Sequence, residues 1–181
     1  MDLRIAGFDY QALKTEGFSD IKLLTAGFLN ELAYEVMVEF FTALKGKRWK
    51  IRLNWCSNKP FREWYGVRTE ILRDPSGFEG EFIVGIDLHD NNLTGVITPR
   101  IWLLVHLRYL SLSMNDIQGR VPICLSQMPT LQLLDLTNNP HLKPADPDSQ
   151  DDLGVFDGGV ESSASRQVCG SSRLKTLHPS I

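Results

Sequence analysis

From residue 83 onward the apolar positions come in short alternating runs that recur every 24 residues. Ile83, Ile86 and Leu88 are matched by Leu107, Leu110 and Leu112, and then by Leu131, Leu134 and Leu136. Alternation with period two predicts strands, with Ile86 and Leu88 turned to one face and Asp87 and His89 to the other. Recurrence at a fixed interval predicts that three such strands stack side by side around a shared interior. Each run is followed at the same place by Asn91, Asn115 or Asn139. A buried amide both donates and accepts, so a ladder of these residues would satisfy the polar backbone where each coil leaves its strand. Gly95 and Gly119 suit a close bend, and Pro122 fixes φ on the return side, where the first copy has Pro99 displaced by one residue. His141 stands at the last apolar position of the third copy and Lys143-Pro144 follows, so the repeat is expected to fray there.

Upstream the period changes. Leu32, Val36, Phe40 and Leu44 fall on one helical face with Glu31, Glu35 and Glu39 beside them, predicting an amphipathic helix that ends near Gly46. Trp49, Trp55 and Trp64 then supply large apolar area. The segments GVRTEI and EFIVGIDL, separated by DPSG, predict a hairpin. Residues 3–32 carry a third pattern, in which Leu3, Leu13 and Leu23, Gly7, Gly17 and Gly27, and Phe8, Phe18 and Phe28 recur every ten positions. Ten residues leave successive Phe side chains rotated by about 80° on a helix, so one unbroken rod would smear its apolar stripe. Short helices of about two turns, broken at Gly-Phe corners, are the expectation.

The frame LxxLxLxxNxLxGxIP, carried by IVGIDLHDNNLTGVIT, LRYLSLSMNDIQGRVP and LQLLDLTNNPHL, resembles the 24-residue plant-type leucine-rich repeat. Asn54-Trp55 and Trp64-Tyr65-Gly66-Val67 resemble pieces of the N-terminal cap of such proteins. The ten-residue frame resembles the LKxAGFS-type decapeptide repeats of many microbial eukaryote proteins, which imply no activity. Together these resemblances imply an α/β solenoid: a short right-handed leucine-rich repeat coil, with parallel strands on the concave face and an N-terminal α-helical cap. The expected organisation is decapeptide repeats over 1–33, cap and hairpin over 34–82, repeats over 83–143 and a disordered, acidic, Gly/Ser-rich tail over 144–181. Secreted plant caps carry a cysteine pair, whereas Cys56 stands alone here, and Cys124 and Cys169 lie at unrelated spacings. Reduced thiols and a cytoplasmic location are therefore expected. The alternative is an extracellular, truncated ectodomain of a receptor-like kinase or surface antigen.

Composition narrows the function. The chain has 181 residues and a net charge of −3, with no global basic field and no apolar run near the roughly 20 residues that span a bilayer. Nucleic-acid partners and a membrane span are not expected. Residues 45–73 are locally basic, with nine Lys or Arg against Glu63 and Glu70, a feature of solvated surfaces or of sites for anionic partners. Asp146, Asp148 and Asp157 resemble a calcium loop only in part, because Asp151 stands where an EF-hand needs Gly. His89, Asp90, Ser113 and Cys124 sit in no nucleophile motif, and neither P-loop nor HExxH is present, so no enzyme, cofactor or metal is expected. What remains is the outward row of the stacked strands: Asp87, His89 and Asp90; Tyr109, Ser111, Ser113, Met114 and Asp116; Leu133, Asp135 and Thr137. Such a row fits a monomeric, noncatalytic module that binds a protein with a basic or polar patch. A standard interface takes about 20 to 30 residues per side, so this row alone should bind weakly.

Overall fold

The computed structural model describes residues 6–73, 79–146 and 175–176. Three helices come first: α1 (Tyr10–Thr15), α2 (Asp20–Thr25) and α3 (Leu29–Ala43). Asp9 caps α1 by accepting from the Ala12 amide at 2.8 Å, and Ser19 caps α2 from the Lys22 amide. Between them the chain turns at Gly17, whose φ of 83° is open to glycine at little cost. Tyr10, Leu13, Leu23, Ala26, Phe28 and Leu32 close into a small core of their own.

The expected stripe on α3 is fully buried at Leu32, Val36 and Phe40, as is Leu44 just beyond its end. It faces an aromatic cluster in which Trp49 and Trp55 have ring centroids 4.8 Å apart, and Trp55 and Trp64 5.2 Å. Each indole N–H donates to a carbonyl, those of Leu44, Tyr65 and Lys59 in turn, so large apolar area is buried without orphaning a donor.

The strands are β1 (Val67–Arg73), β2 (Glu79–Asp87), β3 (Thr94–Gly95), β4 (Tyr109–Ser111), β5 (Asp116–Ile117), β6 (Gly119–Arg120), β7 (Leu133–Asp135), β8 (Leu142–Lys143) and β9 (Lys175–Thr176), with α4 (Ile123–Gln127) after β6. The expected hairpin is β1 antiparallel to β2. β2, β4 and β7 then pair in parallel, Ile86 with Leu110 and Leu110 with Leu134, each partner 24 residues from the last. Two small parallel ribbons, β3 with β5 and β6 with β8, run after the turns. Helical turns occupy equivalent return positions at Pro99–Leu103 and Ile123–Gln127, so the displaced proline leaves the register unchanged.

The asparagines stack as expected. Asn115 accepts from the Asn91 and Leu93 amides and donates to the carbonyls of Leu88, Leu112 and Ser113, all between 2.9 and 3.0 Å. Asn139 repeats this against Ile117 and Leu112. Asn91 extends the ladder out of the repeats, accepting from the Ile51 amide at 2.7 Å and donating to the Ile51 carbonyl at 2.8 Å. At the first bend, a Cβ on Gly95 would lie 2.2 Å from the Ala43 carbonyl oxygen. That close approach lets the Thr94 and Val96 amides donate to the Leu44 and Ala43 carbonyls, which α3 leaves without helical partners.

One expectation needs correction. The third copy does not fray at His141, since Leu142–Lys143 still pairs with Gly119–Arg120 and Asn139 keeps its bonds. The tail expected to be disordered lies outside the described residues, apart from its first three residues and Lys175–Thr176, which pair in parallel with β7.

Candidate functional site

The strand register fixes the rows of the candidate face. Gly85, Tyr109 and Leu133 lie side by side, and so do Asp87, Ser111 and Asp135. At about 4.8 Å per strand the backbone positions of Asp87 and Asp135 lie about 10 Å apart across Ser111. Tyr109 is half-buried beside Gly85, and Leu133 and Met114 are exposed.

Beyond the strands, Asp90, Met114 and Asn138 occupy equivalent corners, all with left-handed backbone at φ 45°, 58° and 55°. Asp and Asn tolerate that region, whereas an unbranched apolar side chain pays about 1 kcal/mol for it. Met114 is thus held exposed on a strained corner. Asp116 and Thr137 are half-buried at the margin.

The electrostatics follow from short contacts. His89 Nδ1 lies 2.8 Å from Asp87 Oδ1, and this hydrogen bond, with the Asp87 charge and more distant Asp90 and Asp135, raises the imidazole above its ordinary range. Burial pushes the Asp135 carboxyl up. The Thr137 hydroxyl and amide and the Ser113 hydroxyl outweigh that and hold it below the usual carboxylate range. Lys50, from the segment before the repeats, pairs with Asp90 and lowers its carboxyl.

Not every expected residue contributes surface. Ser111 and Ser113 point along the outward row yet are buried, their hydroxyls 3.4 Å apart beneath the flanking side chains, and this corrects their assignment as contact residues. Asp90 is already engaged by Lys50. The structure brings Asp87, His89, Tyr109, Met114, Leu133 and Asp135 onto accessible ground. It also adds Arg68, whose Cβ lies 3.4 Å from the place a Cβ on Gly85 would take, and the Arg108–Glu70 pair at 2.7 Å, neither legible from the repeat frame.

The loose nucleophile set does not assemble. His89 is turned to Asp87, Ser113 to Ser111 and Asp135, and the Cys124 thiol donates to the Pro99 carbonyl on the return side. Burial pushes the Cys56 thiol up, which disfavours the thiolate. Among the described residues no three His, Cys, Asp or Glu side chains converge to hold a metal, and no helix is long and apolar enough to cross a membrane.

Comparison with known proteins locates the repeat. Residues 106–128 match the family described as Leucine Rich Repeat. The leucine-rich repeat receptor-like serine/threonine-protein kinase EFR of Arabidopsis thaliana is 29% identical over 108 residues, which are 59% of this chain and 10% of that protein. The receptor-like protein CLAVATA2 of the same plant is 42% identical over 57 residues, 32% of this chain and 8% of that protein. The chain thus spans about a tenth of the length of these curated relatives. The crystal structure of the leucine-rich repeat ectodomain of the Arabidopsis receptor kinase SOBIR1 has a TM-score of 0.44 at 25% identity, covering 57% of this chain and 51% of that one. These relatives are receptor-like by name, so they agree with the extracellular alternative and lend no support to the cytoplasmic expectation.

Proposed function

We propose that the chain is a noncatalytic recognition module that binds a polypeptide along the concave face of a short leucine-rich repeat solenoid. The observation that carries this reading is the row of Asp87, Tyr109, Met114, Leu133 and Asp135, presented on parallel strands whose corners are fixed by the asparagine ladder. Pre-organised carboxylates carried two strands apart, with Tyr109 and Leu133 on the neighbouring row, favour a partner that offers Lys or Arg on either side of an apolar residue. The α3 helix and the tryptophan cluster serve as the cap of this solenoid, and α1 and α2 pack upon that cap.

The test is affinity capture with the wild type beside an Asp87→Ala, Tyr109→Ala, Asp135→Ala variant. Loss of the specific partner supports the reading; recovery of identical partners by both overturns it.

A second reading is favoured by the receptor-like relatives: this chain is part of a ligand-binding ectodomain. A reading frame that joins it to a secretory signal and a membrane anchor supports that version. Retention of the tagged chain in the cytosol when expressed from its own gene overturns it.

A further inference from the structure

Between Glu39 and Glu63 the chain contains no Asp or Glu, while Lys45, Lys47, Arg48, Lys50 and Arg52 crowd into eight positions. All five are exposed. Lys50 is taken by Asp90, and among the described ion pairs none holds Lys45, Lys47, Arg48 or Arg52. Into this run the chain sets two aliphatic side chains, Ile51 at 45% exposure and Leu53 at 65%. A single exposed aliphatic residue is ordinary. Two of them, set at the end of a run of four cations that hold no described ion pair, call for a reason.

Their exposure is built in. Trp49, just before them, is buried and donates its indole N–H to the Leu44 carbonyl at 2.8 Å. The Lys50 amide donates to the Asn91 carbonyl, and the Ile51 amide and carbonyl are both held by the Asn91 side chain. The Leu53 carbonyl accepts from the Tyr65 amide at 3.0 Å. The backbone that carries Ile51 and Leu53 is therefore pinned at both ends, and the two side chains have nowhere in the fold to go. Trp49 and Tyr65 are packed inward, so the aliphatic pair and not the aromatic residues forms the apolar tip.

We propose that this segment, residues 45–53, docks on an anionic lipid surface, its cations on the headgroups and Ile51 and Leu53 in the boundary beneath them. An acidic polypeptide would satisfy the cations but would have to bring apolar residues of its own, at matching spacing, to cover the aliphatic tip. A bilayer uses both, since it adds apolar burial to the attraction of each Lys or Arg. The inference is independent of the concave-face reading, because none of Asp87, Tyr109 and Asp135 belongs to the segment.

The experiment is co-sedimentation of the full chain with phosphatidylcholine vesicles, with and without phosphatidylserine. Binding is expected only with phosphatidylserine, falling as salt rises. Lys47→Ala with Arg52→Ala should weaken it by about 30-fold, and Ile51→Ser with Leu53→Ser by at least about tenfold. Unchanged far-ultraviolet circular dichroism and melting midpoint establish that each variant is folded, and the Asp87, Tyr109, Asp135 triple alanine variant should bind like the wild type. Equal binding to both vesicle types, no binding to either, or a serine pair that binds as well as the wild type each overturns the proposal. The last result, if polyglutamate also competes, assigns the segment to an acidic polypeptide instead.

Discussion

Asn115 holds more of the backbone than any other side chain of the ladder, with two amides donating to its Oδ1 and its Nδ2 reaching three carbonyls. Replacing it by Ala leaves the buried Asn91 and Leu93 amides without an acceptor, at about 1–3 kcal/mol each. Asn115→Ala should therefore destabilise the chain by about 2–6 kcal/mol in denaturant titration, and Asn115→Leu should not rescue it; a loss under 1 kcal/mol would remove the ladder from the account of stability. His89 makes a prediction of the opposite kind, about charge and not folding. Its folded pKa is raised above 6.5 by Asp87, so the pairing is fully present below 6.5 and is lost as pH rises through the higher folded value. The imidazole resonances should titrate above 6.5 in the wild type and move down in Asp87→Asn. Protonation offsets the Asp87 carboxylate, so a basic partner should bind less well as pH falls across the same range. The ladder was legible because a residue repeated at fixed spacing has a repeated duty. The burial of Ser111 and Ser113 was not, because period two gives the direction of a side chain and says nothing of how far its neighbours overhang it.

The elements are joined by an ion network that no local pattern announces. Arg100, on the return turn of the first coil, reaches Asp20 of α2 at 2.8 Å and Glu39 of α3 at 2.8 Å, with Glu35 at 3.5 Å. Lys14 of α1 completes it through Asp20 at 2.7 Å and Glu35 at 3.2 Å. Glu35 and Glu39 read from sequence as the solvated side of an amphipathic helix; the side was right, but its partners lie on α1 and on a turn some sixty residues downstream. Burial disfavours the Asp20 anion, yet its hydrogen bond from Lys14 and the Arg100 charge outweigh this and lower its pKa from the ordinary 3.8. The stabilisation it gives is present above that value and lost as pH falls below it, so α1 and α2 should detach before the strands do on acidification. Arg100→Ala should cost about 1–2 kcal/mol, between an exposed pair and a buried one. It should also speed amide exchange in α1 and α2 while leaving β2 and β4 protected. Uniform acceleration across both regions would mean that the network stabilises the whole chain and not the docking of these helices.

At the scale of the molecule there are two cores of unequal weight. The larger runs without a break from Val36, Phe40, Trp49, Trp55 and Trp64 through Ile86, Leu88 and Leu93 to Leu110, Leu112 and Leu134. The smaller is the cluster of Tyr10, Leu13, Leu23, Phe28 and Leu32. Three coils are near the minimum for a stacked repeat, and the first shares its core with α3 and the tryptophans. Deleting 1–27 removes most of the smaller core and the carboxylate of Asp20 but leaves every residue of the larger one in place. That chain should melt cooperatively at a somewhat lower temperature. Deleting 1–66 instead strips the Asn91 side chain of its Ile51 partners and turns Ile86, Leu88 and Leu93 to water. Exposing three fully buried aliphatic side chains costs about 1.5–3 kcal/mol each, comparable with the whole stability of a small domain. This second chain should show no cooperative transition by circular dichroism. If it melts as sharply as the first, the repeats stand on their own, and the segment from α3 to Trp64 needs another purpose than closing their end.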